Sequence, residues 1–181
     1  MDYKFKTEPY EHQLQALGAS HNKENFALFM EMGTGKSKVL IDNIAMLHDK
    51  GKINSALIVA PKGVYRNWER QEIPTHMPEH VDYCVLVWNP TSTSFPKEYA
   101  KFLKNEDKLK IFLINIDAFS TIKGTDIAKR FLIATQCLMA IDESTTVKTP
   151  TAKRTKTICK MRTLAKYRRI LTGSPVTKSP L

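Results

Sequence analysis

Gly33-Thr34-Gly35-Lys36-Ser37 is a stretch that can hold a phosphate chain. Gly33 and Gly35 permit positive φ, so successive N–H groups can point into one concavity. A helix-like stretch starts at Lys36, and the positive end of its dipole would face the same spot. In this layout Lys36 reaches the β- and γ-phosphates of a nucleotide, and the Ser37 hydroxyl goes to Mg²⁺. Met30 stands where the strict pattern G-x-x-x-x-G-K-[ST] has its first glycine. That departure speaks against ordinary kinases and GTPases.

A second group of chemistry-bearing residues follows 106 residues after Lys36, where Cys137–Ile141 runs into Asp142-Glu143. An apolar strand ending in two acids suits metal-assisted hydrolysis. One carboxylate, Asp142, can hold Mg²⁺ through water, and the adjacent Glu143 can orient or deprotonate the attacking water. Taken singly, each signal has a plainer reading: a glycine turn before a helix, and an acidic surface turn after a strand. Found together, each in its strand context, they favour nucleotide chemistry.

Elements must exist to position these groups. The apolar runs Phe26–Met30, Ala56–Ala60, Cys84–Trp88, Ile111–Ile114, Cys137–Ile141 and Ile170–Leu171 are short and mostly continuous. Continuous runs of this length read as strands of a parallel sheet buried on both faces. Between them, Lys36–His48, Pro61–Glu72, Pro96–Leu103 and Asp126–Thr135 carry apolar residues at helical spacing. Strand alternating with helix predicts an α/β fold with right-handed crossovers and helices on both faces. Ligands in such folds bind beyond the carboxyl ends of the strands. Trp68 lies at helical spacing among apolar neighbours and reads as a packing residue. The five histidines show no ligand spacing.

The chain has 181 residues, 42% of them hydrophobic and 25% charged, which suits one globular domain. Its net charge of +10 is unevenly spread. Residues 1–90 carry 10 Lys/Arg against 11 Asp/Glu, whereas residues 91–181 carry 18 against 7. No acid follows Glu143, so the basic segment from Lys148 to Arg169 reads as a polyanion-attracting face or as a solvated helix face. The three cysteines show no pairing or zinc spacing. No apolar run approaches the roughly 20 residues of a membrane span, and the stretch from Met1-Asp2-Tyr3-Lys4 onward shows no signal-peptide hydrophobic region. A soluble cytoplasmic protein in a reducing compartment is the expectation, without a membrane partner.

The motifs, taken in order, resemble the first RecA-like lobe of a superfamily 2 helicase, most closely the Swi/Snf-type DNA translocases. Pro9-Tyr10-Glu11-His12-Gln13 is similar to the adenine-recognition element of that family. Glu31–Ser37 is similar to motif I, and Leu57–Pro61 with Asn67-Trp68 to motif Ia. Asp142–Thr145 followed by Lys148 resembles the Asp-Glu-x-x-x-x-Lys form of motif II, and Leu171-Thr172-Gly173-Ser174-Pro175 resembles motif III. The likeness spans nearly the whole chain. Ser144 and Thr145 depart from the usual Ala and His, and Phe112–Phe119 matches motif Ib only loosely, with Asn115 and Asp117 at its polar positions.

The resemblance implies a RecA-like three-layer sandwich that binds ATP and Mg²⁺. It implies Gln13 at the adenine, Gly33, Thr34, Gly35, Lys36 and Ser37 at the phosphates, and Ser37 with Asp142 at the metal. Lys36, Asp142 and Glu143 would be catalytic. Lys62, Thr121 and Lys123 would meet the backbone of double-stranded DNA, and Thr172, Gly173 and Ser174 would couple the ATP and DNA sites. Family members set ATP between two such lobes, and the chain corresponds to one of them, so slow hydrolysis is expected without the second lobe. Compact motif spacing leans toward a bacterial or phage setting over a nuclear one. Other readings are the ATP-binding lobe of an RNA helicase, a small phosphate-loop kinase, or a DNA-binding module without catalysis.

Overall fold

The computed structural model describes residues 2–142 and 153–173. In chain order the elements are α1 (Glu11–Ser20), β1 (Asn25–Phe29), α2 (Lys36–Asp49), β2 (Ser55–Ala60), α3 (Tyr65–Asn67), a π-helical turn (Trp68–Glu72), α4 (Ile73–His76) and β3 (Tyr83–Val87). Next come α5 (Phe95–Leu103), β4 (Leu109–Asn115), a 3-10 turn (Ile116–Ser120), α6 (Ile122–Ala134), β5 (Cys137–Asp142), α7 (Lys153–Met161), a 3-10 turn (Arg162–Leu164) and β6 (Tyr167–Thr172). The strands form one sheet in the order β1-β6-β5-β2-β4-β3. Every pairing is parallel.

The strand period of two divides the core cleanly. In β2, Ala56, Ile58 and Ala60 face one cluster with Leu40, Ile44 and Trp68, while Leu57 and Val59 face another with Phe112, Phe131 and Ile158. The first cluster lies under α1, α2 and the α3–α4 segment, and the second lies under α5, α6 and α7. All six residues of β2 are buried, which explains a run with no polar alternation. This is the expected three-layer α/β sandwich, and each expected strand is present within a few residues of its predicted bounds.

The helices depart more from expectation. The segment after β2 does not turn helical at Pro61; it enters helix at Tyr65, widens to a π turn at Trp68 and runs on to His76. Helix α6 starts four residues before Asp126, because Thr121 Oγ1 caps it by accepting from Gly124 N at 3.0 Å. Gly124 is required there, since a Cβ would collide with the Ala118 carbonyl. Helix α1 has weak amphipathic patterning and escapes a periodicity reading; its start is set by Gln13 Oε1, which accepts from Tyr10 N at 3.0 Å.

The N-terminal residues strap the sheet's α2 face. Tyr3 donates its hydroxyl to Asp42 Oδ1 at 2.8 Å, and Lys38 reaches Asp42 Oδ2 at 2.8 Å inside the protein. Lys38 also lies over the Phe5 ring, 5.1 Å from its centroid. Burial, then the Asp42 charge, raise the Tyr3 phenol far above its ordinary range.

Candidate functional site

Strand order assembles the site. β6 lies between β1 and β5, pairing Phe29 with Thr172 and Asp142 with Leu171. The phosphate loop after β1, the acid ending β5 and the turn after β6 therefore emerge side by side at one carboxyl edge. No local signal in the sequence specifies this order, because β6 comes last among the described strands and inserts between two earlier ones.

The loop has the backbone that the glycines predict. Gly33 and Gly35 sit at φ 78° and 81°, and Gly35 precedes α2 as its N-cap in the left-handed region. Met30 N donates to the Thr172 carbonyl at 3.3 Å, which fastens the loop to β6. The Lys36 ammonium is buried and donates to the Met30 and Glu31 carbonyls, at 3.0 Å each. Thr34 Oγ1 donates to the Glu31 carbonyl as well, at 2.6 Å. The loop thus wraps around its own lysine, and a bound phosphate would exchange these carbonyls for anionic oxygens.

Gln13 is brought to the loop. Its Nε2 donates to the Thr34 carbonyl at 3.0 Å, and only 5% of the residue is exposed. His12 Nε2 approaches the same carbonyl at 2.9 Å; a carbonyl only accepts, so this nitrogen carries the hydrogen. A Cβ on Gly35 would overlap the Gln13 amide, so the glutamine packs where only glycine fits. Gln13 consequently links the segment before α1 to the phosphate loop.

Asp142 ends β5 and is 8% exposed. Its Oδ2 accepts from the Trp68 indole Nε1–H at 3.0 Å. Glu72, four residues beyond Trp68, has its carboxyl pushed above the usual range by burial and then by the Asp142 charge. Trp68 packs, as its helical spacing predicts, and is 1% exposed. Its second role could have been suspected from chemistry alone, since a buried indole N–H needs an acceptor.

At the end of β6, Thr172 is buried and, among the described residues, its Oγ1 has no hydrogen-bond partner. A Cβ at Gly173 would lie 3.9 Å from Lys36 Nζ and 3.5 Å from Met32 N. The turn after β6 thus touches the phosphate loop directly. Glu143, Ser144, Thr145, Lys148, Ser174 and Pro175 lie outside the described residues.

The remaining expected contacts occupy the other half of the same edge. β2 and β4 are neighbours, with Ala60 opposite Asn115. Lys62 follows β2 and is exposed, and Lys123 is exposed in the first turn of α6. Thr121 is exposed, but its hydroxyl donates to the Ala118 carbonyl at 2.7 Å while capping α6, so its first duty is structural. The basic segment is heterogeneous. Lys153, Lys156 and Lys160 are exposed on α7, whereas Arg169 is 1% exposed. Its guanidinium donates to Asn43 Oδ1 and to the carbonyls of Ser20, Glu24 and Arg168. Burial lowers its pKa to about 10, so it remains charged at neutral pH and takes no part in a surface patch.

The residues fit a nucleotide with Mg²⁺. The loop offers N–H groups at a 14-residue helix N-terminus, with an ammonium in the loop. One hydroxyl and one strand-end carboxylate are the sparse oxygen donor set that Mg²⁺ takes when phosphates and water complete its shell.

A family model for the SNF2-related domain matches residues 12–180, and the chain belongs to this family of ATPase/helicase-type enzymes. Its fold and motif order are those of the first RecA-like lobe of Swi/Snf-type helicases. Among solved structures it is similar to the Sulfolobus solfataricus SWI2/SNF2 ATPase core in complex with dsDNA, with TM-score 0.68 and 21% identity over 97% of this chain and 34% of that one. It is also similar to the SWI2/SNF2 ATPase core domain of the same organism, with TM-score 0.61 and 22% identity over 94% of this chain and 34% of that one. The chain therefore spans about a third of the length of these solved chains. Comparison with curated protein sequences finds no match. Among the described residues, no helix is long and apolar enough to cross a membrane.

Proposed function

We propose that the chain is the ATP-binding lobe of a translocase on double-stranded DNA, acting with a second RecA-like lobe. The observation that carries this reading is the meeting of the phosphate loop, Asp142 and the Thr172–Gly173 turn at the ends of three adjacent strands, in a chain of the SNF2-related family. The dsDNA complex of the similar Sulfolobus ATPase core supports the choice of polymer.

The loop amides and the α2 N-terminus would bind the phosphates, and Lys36 would leave its carbonyls to bridge the terminal ones. Ser37 and Asp142 would hold Mg²⁺, which supplies charge neutralisation at the phosphates when bound. Glu143 would act as base for the attacking water. Gln13, already fastened to Thr34, would carry adenine recognition to the loop. Lys62 and Lys123 would contact DNA phosphates, which carry affinity without reading sequence. Thr121 would do so only through an oxygen already engaged in its helix cap.

Binding of a fluorescent ADP analogue to the chain and to Lys36→Ala tests the site. Affinity should fall at least tenfold, roughly the worth of one charge-assisted contact. Unchanged affinity in Lys36→Ala would sink the reading and favour a module without catalysis. ATPase assays of the lobe paired with its second lobe, with duplex DNA against RNA, decide the polymer. Stimulation by RNA alone would select the RNA helicase reading, and phosphate transfer to a small acceptor would select the kinase.

A further inference from the structure

The ATP half of the carboxyl edge is built from β1, β6 and β5, and the exposed bases Lys62 and Lys123 follow β2 and β4. Trp68 joins the two halves. Trp68 leaves the segment that follows β2 and Lys62, and its indole N–H lies 3.0 Å from Asp142 Oδ2. Building on the nucleotide reading above, we propose that Trp68 is a positioning residue of the ATP site. Its N–H orients the Asp142 carboxylate that would hold Mg²⁺, and ties that carboxylate to the segment carrying Lys62.

Several observations support a positioning role beyond packing. A phenyl ring could fill a buried apolar slot, whereas the indole adds a donor that can only donate, and it is spent on the one strand-end acid of β5. The bond is charge-assisted, which makes it stronger than a neutral one and directional. The backbone departs from α geometry at the same place, because the π-helical turn begins at Trp68 and spans Trp68–Glu72. Such widened turns are concentrated at functional sites, since they cost hydrogen-bond quality to re-aim a side chain. Here the widened turn begins at the residue whose indole reaches Asp142. Asn67 Nδ2 in turn reaches Glu72 Oε1 at 3.5 Å. Outer-shell donors of this kind set the orientation of a metal-binding carboxylate.

Trp68→Phe removes the N–H and keeps most of the ring. The measurement is the affinity for the ADP analogue with Mg²⁺ divided by that in EDTA. In the variant this ratio should fall about tenfold, in line with loss of an outer-shell partner, while the EDTA affinity stays within about twofold. A second readout needs no variant at Trp68. The chain has two tryptophans, hence two indole N–H resonances. One of them should move on Asp142→Ala, and the same one should move when Mg²⁺ is added to the ADP-bound protein. An unchanged Mg²⁺ ratio in a folded Trp68→Phe, or indole resonances indifferent to both changes, overturns the proposal. If the unmodified chain binds no nucleotide, the underlying reading fails as well, so the two failures are distinguishable.

Discussion

At the residue scale, the site depends on a few atoms with no room for substitution. Gly35 combines φ 81° with a neighbour, the Gln13 amide, that a Cβ would strike. Gly35→Ala is therefore expected to destabilise the chain by about 1–3 kcal/mol and to weaken nucleotide binding, because either the loop or Gln13 must move. Thermal melts and nucleotide titration check both effects. Gly33 has similar φ but open space around it, so Gly33→Ala should carry the backbone strain without the clash. Arg169 shows how misleading a residue's type can be. It lies in a segment rich in exposed bases, yet it sits in the interior with carbonyl oxygens as acceptors.

At the element scale, the π-helical turn is the informative departure from regular structure. It carries Glu72 into a place where burial and the Asp142 charge both oppose ionisation. A carboxyl whose folded pKa is raised stabilises the fold fully below its ordinary value near 4.5. That contribution is lost as pH rises through the raised folded value. Glu72→Gln should accordingly raise the melting temperature at pH 7 by about 1–3 °C, and the gain should vanish below roughly pH 4.5. A melting series from pH 4 to pH 8 measures it, and a gain that persists at pH 4 would contradict the stated cause. His76, on α4 beyond the same turn, has its pKa lowered by burial and then by the Lys38 charge, against the opposing Asp42. It meets Thr7 Oγ1 through Nδ1 at 2.8 Å, joining the N-terminal strap to α4.

At the scale of the whole molecule, large apolar side chains near the phosphate loop are exposed among the described residues. Tyr10, Phe29 and Met32 are 70%, 58% and 85% exposed around the phosphate loop. In a two-lobe motor this surface would meet nucleotide and the second lobe. Adding that lobe, in one polypeptide or as a separate chain, is expected to raise ATP turnover by about 10³-fold or more. An arginine supplied across the cleft is worth this much in related phosphate-transfer enzymes. Steady-state hydrolysis with and without the second lobe, in the presence of duplex DNA, tests the expectation; equal rates would locate the whole active site within this chain.

Local residue patterns were enough to identify the chemical groups and the six described strands. Gly33–Ser37 and Asp142 are local signals, and a continuous apolar run bounded by polar residues suffices to mark a buried parallel strand. The alternation of strand and helix between β1 and β5 was legible for the same reason, whereas α1 leaves too weak a pattern to be read. Helix boundaries were less so, because caps such as Thr121 and the widened turn at Trp68 depend on single hydrogen bonds that leave no period. Folding in three dimensions adds that β6 lies between β1 and β5, that Gln13 packs on Gly35, that Arg169 is buried, and that Trp68 holds a carboxylate 74 residues away. The physical reason is common to all four. Each is a pairing between segments distant along the chain, selected by how the whole core packs, and no local pattern records which distant partner wins.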